Sequence, residues 1–187
     1  MHKPLPAARM ARRVALQNLV LAIAAAAVTS CDNLDNFEVD VGAKATIPPG
    51  TILEELLGVL AFDEFQSINL TQELDNQGVT KEDIDSVRMI SLALVIEGPA
   101  GANFDFIESI AFFAETEGQP KVLVAELDPV PKGKTSLDFV VSGAELKPYV
   151  VAPSMKLTTT TKGKRPPQET RVSAAAVLDV DVTVPGC

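Results

Sequence analysis

Histidine is almost absent from this chain. The only one is His2, so no residue from Lys3 onward can supply an imidazole. That excludes Ser-His-Asp and Cys-His catalysis, histidine general-base chemistry and most zinc sites. Tryptophan is missing and Tyr149 is the single tyrosine, so an aromatic platform for stacking on sugars would have to come from phenylalanine. No glycine-rich phosphate loop is present. Cysteine occurs only at Cys31 and Cys187, too few for a disulfide framework. Basic residues are outnumbered, 16 against 25, for a net charge of −9. A chain this acidic lacks the clustered lysine and arginine that phosphate backbones require, so nucleic acid is not expected as a partner. No apolar run is long enough to span a bilayer, which takes about 20 residues.

The most informative stretch is the amino-terminal one. Residues 1–13 carry Lys3, Arg9, Arg12 and Arg13 and no acid, and a short apolar run follows, cleanest from Leu19 to Val28. A basic head, an apolar core and then small residues form the pattern of a secretory signal peptide. General secretion is expected, because the residues that usually flank a twin-arginine pair are missing around Arg12-Arg13. Cleavage removes the four basic residues, leaving the remainder more acidic than the whole.

The run ends Val28-Thr29-Ser30-Cys31. This resembles the lipobox of bacterial lipoproteins: an aliphatic residue, two small ones and an obligatory cysteine. The resemblance covers the first 31 residues alone. It implies lipidation of the Cys31 thiol by a diacylglyceryl group, cleavage between Ser30 and Cys31, and acylation of the new amino group. Each buried methylene contributes about 0.8 kcal/mol, and stable anchoring takes more than one chain. The partner so implied is a bacterial membrane, with the protein on its periplasmic or cell-surface face. Asp32 resembles the residue that retains such proteins in the inner membrane of enteric-type bacteria. With Cys31 lipidated, Cys187 is the sole thiol. It is read as an unpaired terminal group rather than an intermolecular disulfide.

Residues 1–30 are thus expected to be a signal peptide and 31–36 a lipidated tether. Residues 37–187 are expected to be one domain, large enough for a real core. Phe37 to Ile47 alternates completely: Phe37, Val39, Val41, Ala43, Ala45 and Ile47 share one face, as in a half-buried strand. Pro48-Pro49-Gly50 stops it. Thr51 with Glu54 reads as a capping box opening a helix over Ile52 to Leu60. Phe62 to Leu70 stays open between strand and irregular chain. Asn69 caps and Gly78 closes a short helix over Leu70 to Gln77, and Thr80 caps one further turn. Val87 to Ile96 is nearly continuous apolar chain, expected as a central strand buried on both faces. Strands Ile110 to Glu115 and Val122 to Leu127 are expected to pair. Ser136 to Val141 reads as one strand with Leu137, Phe139 and Val141 inward, and Gly143 to Tyr149 as a turn or short helix ended by Pro148. Met155 to Thr161 and Thr170 to Val184 read as a long hairpin with KGKRPPQE at its tip. About seven or eight strands with short connecting helices predict a mainly β fold, an antiparallel β-sandwich, with a barrel as the alternative.

No cofactor or metal is expected. The acids Asp32, Asp35, Glu38 and Asp40 match no calcium-loop spacing, and Glu82, Asp83 and Asp85 suit a capped turn. Glu108 with Glu115, or Asp179 with Asp181, are the pairs a carboxylate-dependent hydrolase acting on an envelope glycan would need. Lys162, Lys164 and Arg165 form the one dense basic cluster and are candidates for contact with a partner, an envelope protein or glycan. Loops EGPAGAN, DPVPKGK and KGKRPPQE are the remaining places for specificity. The expectation is a non-enzymatic binding or structural lipoprotein.

Overall fold

The computed structural model describes residues 36–50 and 60–183. The expected signal peptide, Cys31, most of the expected tether, most of the expected 52–60 helix and Cys187 lie outside them.

Eight strands form two four-stranded antiparallel sheets, the expected sandwich. They are β1 Asn36–Ile47, β2 Ile84–Gly98, β3 Ile107–Glu115, β4 Val122–Leu127, β5 Ser136–Asp138, β6 Val140–Val141, β7 Lys156–Gly163 and β8 Thr170–Val182. One sheet runs β1-β8-β2-β5 and the other β6-β4-β3-β7. Helices are short: α1 Thr71–Gln77 and α2 Lys147–Val150, with three 3-10 turns.

Alternation decides the inner face. On β8, Val172, Ala174, Ala176, Leu178, Val180 and Val182 are all buried, as their period of two requires. On β1 the same rule buries Val39, Ala43, Ala45 and Ile47. These faces meet the inner side of the second sheet in one core. Burying each large aliphatic side chain contributes about 1.5–3 kcal/mol. Phe112 of β3 sits at the centre, its ring 5.2 Å from Phe139 and 6.0 Å from Phe62. The segment left open at 62–70 is a 3-10 turn, Glu64–Gln66, which lays Phe62 and Phe65 into this cluster.

The local signals around the short helices hold. The Asn69 carboxamide accepts the Thr71 N–H at 2.9 Å, and Gly78 closes α1 at φ 68°. Thr80 and Asp83 form a reciprocal capping box.

Four expectations are corrected. β2 is buried on one face only: Ile90 and Val95 are 45% and 41% exposed. Arg88, Ser91, Ala93 and Glu97 are interleaved among the apolar residues, and a register shift between Met89 and Ser91 re-phases the strand around Ile90. β7 and β8 are not a hairpin. β7 pairs with β3, while β8 pairs with β1 and β2, so the chain changes sheets between Gly163 and Thr170. Ser136 to Val141 is broken at Phe139. Its first part pairs with β2 and its second with β4, turning a corner from one sheet to the other. Pro148 stands in the first turn of α2, where its missing N–H costs nothing, so it opens that helix rather than ending it. The hairpin of β3 with β4 forms as expected, with β3 beginning earlier, at Ile107.

Candidate functional site

The change of sheets between β7 and β8 brings three connections together. Gly98, at the end of β2, pairs with Arg171 at the start of β8. Ile107, at the start of β3, pairs with Gly163 at the end of β7. Loop 99–106 therefore lies beside segment 164–169. The 128–135 connection joins them: the Phe104 N–H donates to the Lys134 carbonyl at 2.8 Å, and the Ile96 N–H to that of Thr135 at 2.9 Å.

Asp105 is the hub of this cluster. Its N–H donates to the Asn103 side-chain oxygen at 3.0 Å, and its carboxylate accepts the Gly133 N–H at 2.5 Å. Its carbonyl accepts the Lys132 ammonium at 3.0 Å. On the other side the Lys164 N–H donates to the Phe106 carbonyl at 2.8 Å. Loop residues 103–106 are thus tied to both neighbouring connections. A loop held this way presents its side chains in one arrangement.

Between the 99–106 loop and the 166–170 segment lies a cleft of about 350 Å³, inside the ~300–1,000 Å³ range of small-ligand sites. Pro99, Ala100, Ala102, Pro166 and Pro167 make its apolar walls, with Phe106, half-buried against Phe104. Asn103, Asp105, Gln168 and Thr170 supply its polar groups. Among the described residues no lysine or arginine lines it.

The predicted contact residues lie beside the cleft and not in it. Lys162 is exposed, opposite Ser109 on the edge strand β7. Lys164 follows, also exposed, and Arg165 is half-buried with no hydrogen-bond partner for its Nε among the described residues. Because β7 and β8 belong to different sheets, the trio spans the end of β7 and the start of a crossover and is not a hairpin tip. Arg171 adds a fourth cation nearby, its Nη2 2.7 Å from where a β-carbon on Gly98 would be.

The carboxylate pairs do not converge on this cleft. Glu108 and Glu115 are seven residues apart on one strand, about 23 Å at the usual rise, against about 5–9.5 Å for a glycosidase pair. Hydrogen bonds from the Lys121 ammonium and the Thr158 hydroxyl hold the Glu115 carboxyl below its ordinary value, the opposite of what a proton donor needs. Asp179 and Asp181 lie on the outer side of β8, half-buried, with Asp181 accepting the Ser86 hydroxyl. Glu38 and Asp40 are exposed on the outer side of β1, whereas Asp32 and Asp35 lie outside the described residues. Among the described residues no group of three acids, cysteines or histidines could hold a metal, and no helix is long and apolar enough to cross a membrane. Tyr149 is buried and its hydroxyl donates to the Pro120 carbonyl at 2.5 Å.

The sequence pointed to these loops as loops, through their proline and glycine. It carried no signal that two of them meet, since that depends on which sheet each strand joins.

No family model matches the chain, and no curated protein matches it. Among solved structures, the decameric BFDV capsid protein is similar at a TM-score of 0.36 and 9% identity, over 80% of this chain and 98% of that one.

Proposed function

We propose that this chain is a lipoprotein of the bacterial cell envelope, anchored through lipid on Cys31. Its sandwich acts as a non-enzymatic binding or structural module whose contact surface is the loop end around the cleft. The leader and the Val28-Thr29-Ser30-Cys31 sequence support the anchor. The observation that carries the binding role is the tying of loop 99–106 to both neighbouring connections, which holds the cleft walls in one arrangement. That neither carboxylate pair lines the cleft weighs against the alternative, a carboxylate-dependent hydrolase of an envelope glycan. Lys162, Lys164 and Arg165, on the rim, are available to an anionic part of the same partner.

Photocrosslinking in intact cells tests this. A photoreactive residue in place of Gln168, exposed at the cleft, is expected to capture a defined envelope component. The same residue in place of Glu73, exposed on α1, is expected not to. Equal adducts from both positions, or none from Gln168, would reject the loop end as the contact surface.

A further inference from the structure

We infer that the cleft between residues 99–106 and 166–170 is a saccharide site, taking a neutral sugar unit of a glycan. The inference rests on the binding-module reading and gives its ligand a chemical class.

Charge is the first discriminator. Among the described residues no cation lines the cleft, so a phosphate, sulfate or carboxylate ligand inside it would face the Asp105 carboxylate, while Lys132, Lys164 and Arg171 lie outside the lining. One oxygen of that carboxylate accepts the Gly133 N–H, which leaves the other available as an acceptor. The other polar groups are amides. The Asn103 carboxamide oxygen is used by the Asp105 N–H, and its nitrogen donates to no described residue. The Gln168 carboxamide bonds to no described residue, so it offers both donor and acceptor. A carboxylate acceptor with two planar amides matches a row of neighbouring hydroxyl groups, each of which both donates and accepts.

Shape is the second. The walls are proline rings, alanine methyls and the Phe106 ring, surfaces that pack against the C–H face of a pyranose. Without tryptophan in the chain, phenylalanine is the ring left for this. A cleft of about 350 Å³ fits one or two sugar units and is open enough for a chain to continue beyond it.

The test is calorimetric titration of the full chain in neutral detergent with two probes, triacetylchitotriose and maltotriose. Saturable binding of at least one is expected. Two variants localise it. Asn103→Asp keeps the oxygen that caps the Asp105 N–H but removes the amide donor, and Gln168→Ala removes an exposed carboxamide. Together they are expected to weaken binding about tenfold or more with an unchanged melting temperature. No heat with either probe at about 10 mM, or binding indifferent to both variants, would overturn the saccharide site. If Gln168 captures a protein in cells while neither sugar binds, the saccharide inference fails and the binding-module reading stands. If a probe binds at the cleft and is hydrolysed, the site stands and the non-enzymatic reading fails.

Discussion

Gly163 passes so close to Phe106 that a β-carbon added to it would sit 2.3 Å from the Phe106 carbonyl oxygen. The same oxygen accepts the Lys164 N–H at 2.8 Å, so the approach fixes the end of β7 against the cleft loop. Gly163 also has φ 151°, a conformation that costs L residues. Gly163→Ala is therefore expected to destabilise the fold by about 1–3 kcal/mol through overpacking and backbone strain together. Gly101→Ala is the control. Its φ of 81° is strained, but no described residue lies within 4 Å of the new carbon, and about 1 kcal/mol is expected. Urea midpoints of the two variants check this, and equal losses would mean that the close approach to Phe106 costs nothing.

The strands were legible where one face alone is buried. β1 and β8 alternate without interruption; on β1 the structure buries the predicted side, apart from half-buried Phe37 and Val41, and on β8 it buries the apolar one. Caps were legible as well, since Asn69, Gly78, Thr80 and Asp83 act within a few residues of themselves. Partner choice was not. β7 and β8 adjoin in sequence and both alternate, and nothing local says that one joins β3 and the other β1 and β2. Ser136 to Val141 hid its corner for the same reason, because Phe139 faces the core whichever sheet its neighbours join. The cleft follows from these long-range choices, so the sequence showed its loops and not their meeting.

Phe112 tests the core. Its ring touches those of Phe62, Phe65 and Phe139 and is fully buried. Phe112→Ala is expected to cost about 3–5 kcal/mol, transfer and cavity together. Val140→Ala, at a side chain 67% exposed on β6, is expected to stay within about 0.5 kcal/mol. Chemical unfolding of the two variants against the parent decides, and a mild Phe112→Ala would mean that the two sheets do not close over it.

Acid should expose the carboxylate contacts. Glu115 is held below its ordinary 4.5 by hydrogen bonds from Lys121, 2.7 Å away, and from Thr158. Asp83 is held below its ordinary 3.8 by the hydroxyl and then the N–H of Thr80. A depressed folded value means that each stabilises above its unfolded value, and that this is lost as pH falls through the folded one. Both groups are largely solvated, so the effect is small. Glu115→Gln is expected to lower the melting temperature slightly at neutral pH, and the gap is expected to shrink in acid as pH falls through the lowered folded value. A gap of the same size at neutral pH and in acid would place the effect in packing rather than charge.

The anchor has a direct test. Cys31→Ser removes the one thiol that the lipobox resemblance assigns to lipid, and one acyl chain without it would hold a protein only reversibly. The variant is expected to leave the membrane fraction and to lose labelling by a fatty-acid analogue. Membrane retention with labelling intact would reject Cys31 as the lipidated residue.

The rim cations make the last prediction. Lys162 and Lys164 are exposed, and Arg165 follows them into the crossover beside the cleft. Among the described residues none of the three forms an ion pair, so their charges are available to a partner. In an otherwise acidic chain, such a cluster steers an anionic surface toward one end of the molecule. Replacing Lys162 and Lys164 with Gln removes two charges at exposed sites, where substitutions rarely exceed about 0.5 kcal/mol. Arg165 is different, because its Nε is buried without a hydrogen bond, so Arg165→Gln is made separately and its melting temperature recorded first. If the rim meets an anionic part of the partner, the Lys162→Gln/Lys164→Gln variant is expected to reduce capture from the Gln168 position. That reduction should shrink as salt rises, since screening removes the same attraction in the parent. Adding Arg165→Gln should deepen it. Neutral saccharide binding in the cleft should not change, because Lys162, Lys164 and Arg165 are not among the residues that line it. Capture that survives loss of all three charges would remove the rim from the contact surface and leave the cleft to carry recognition alone.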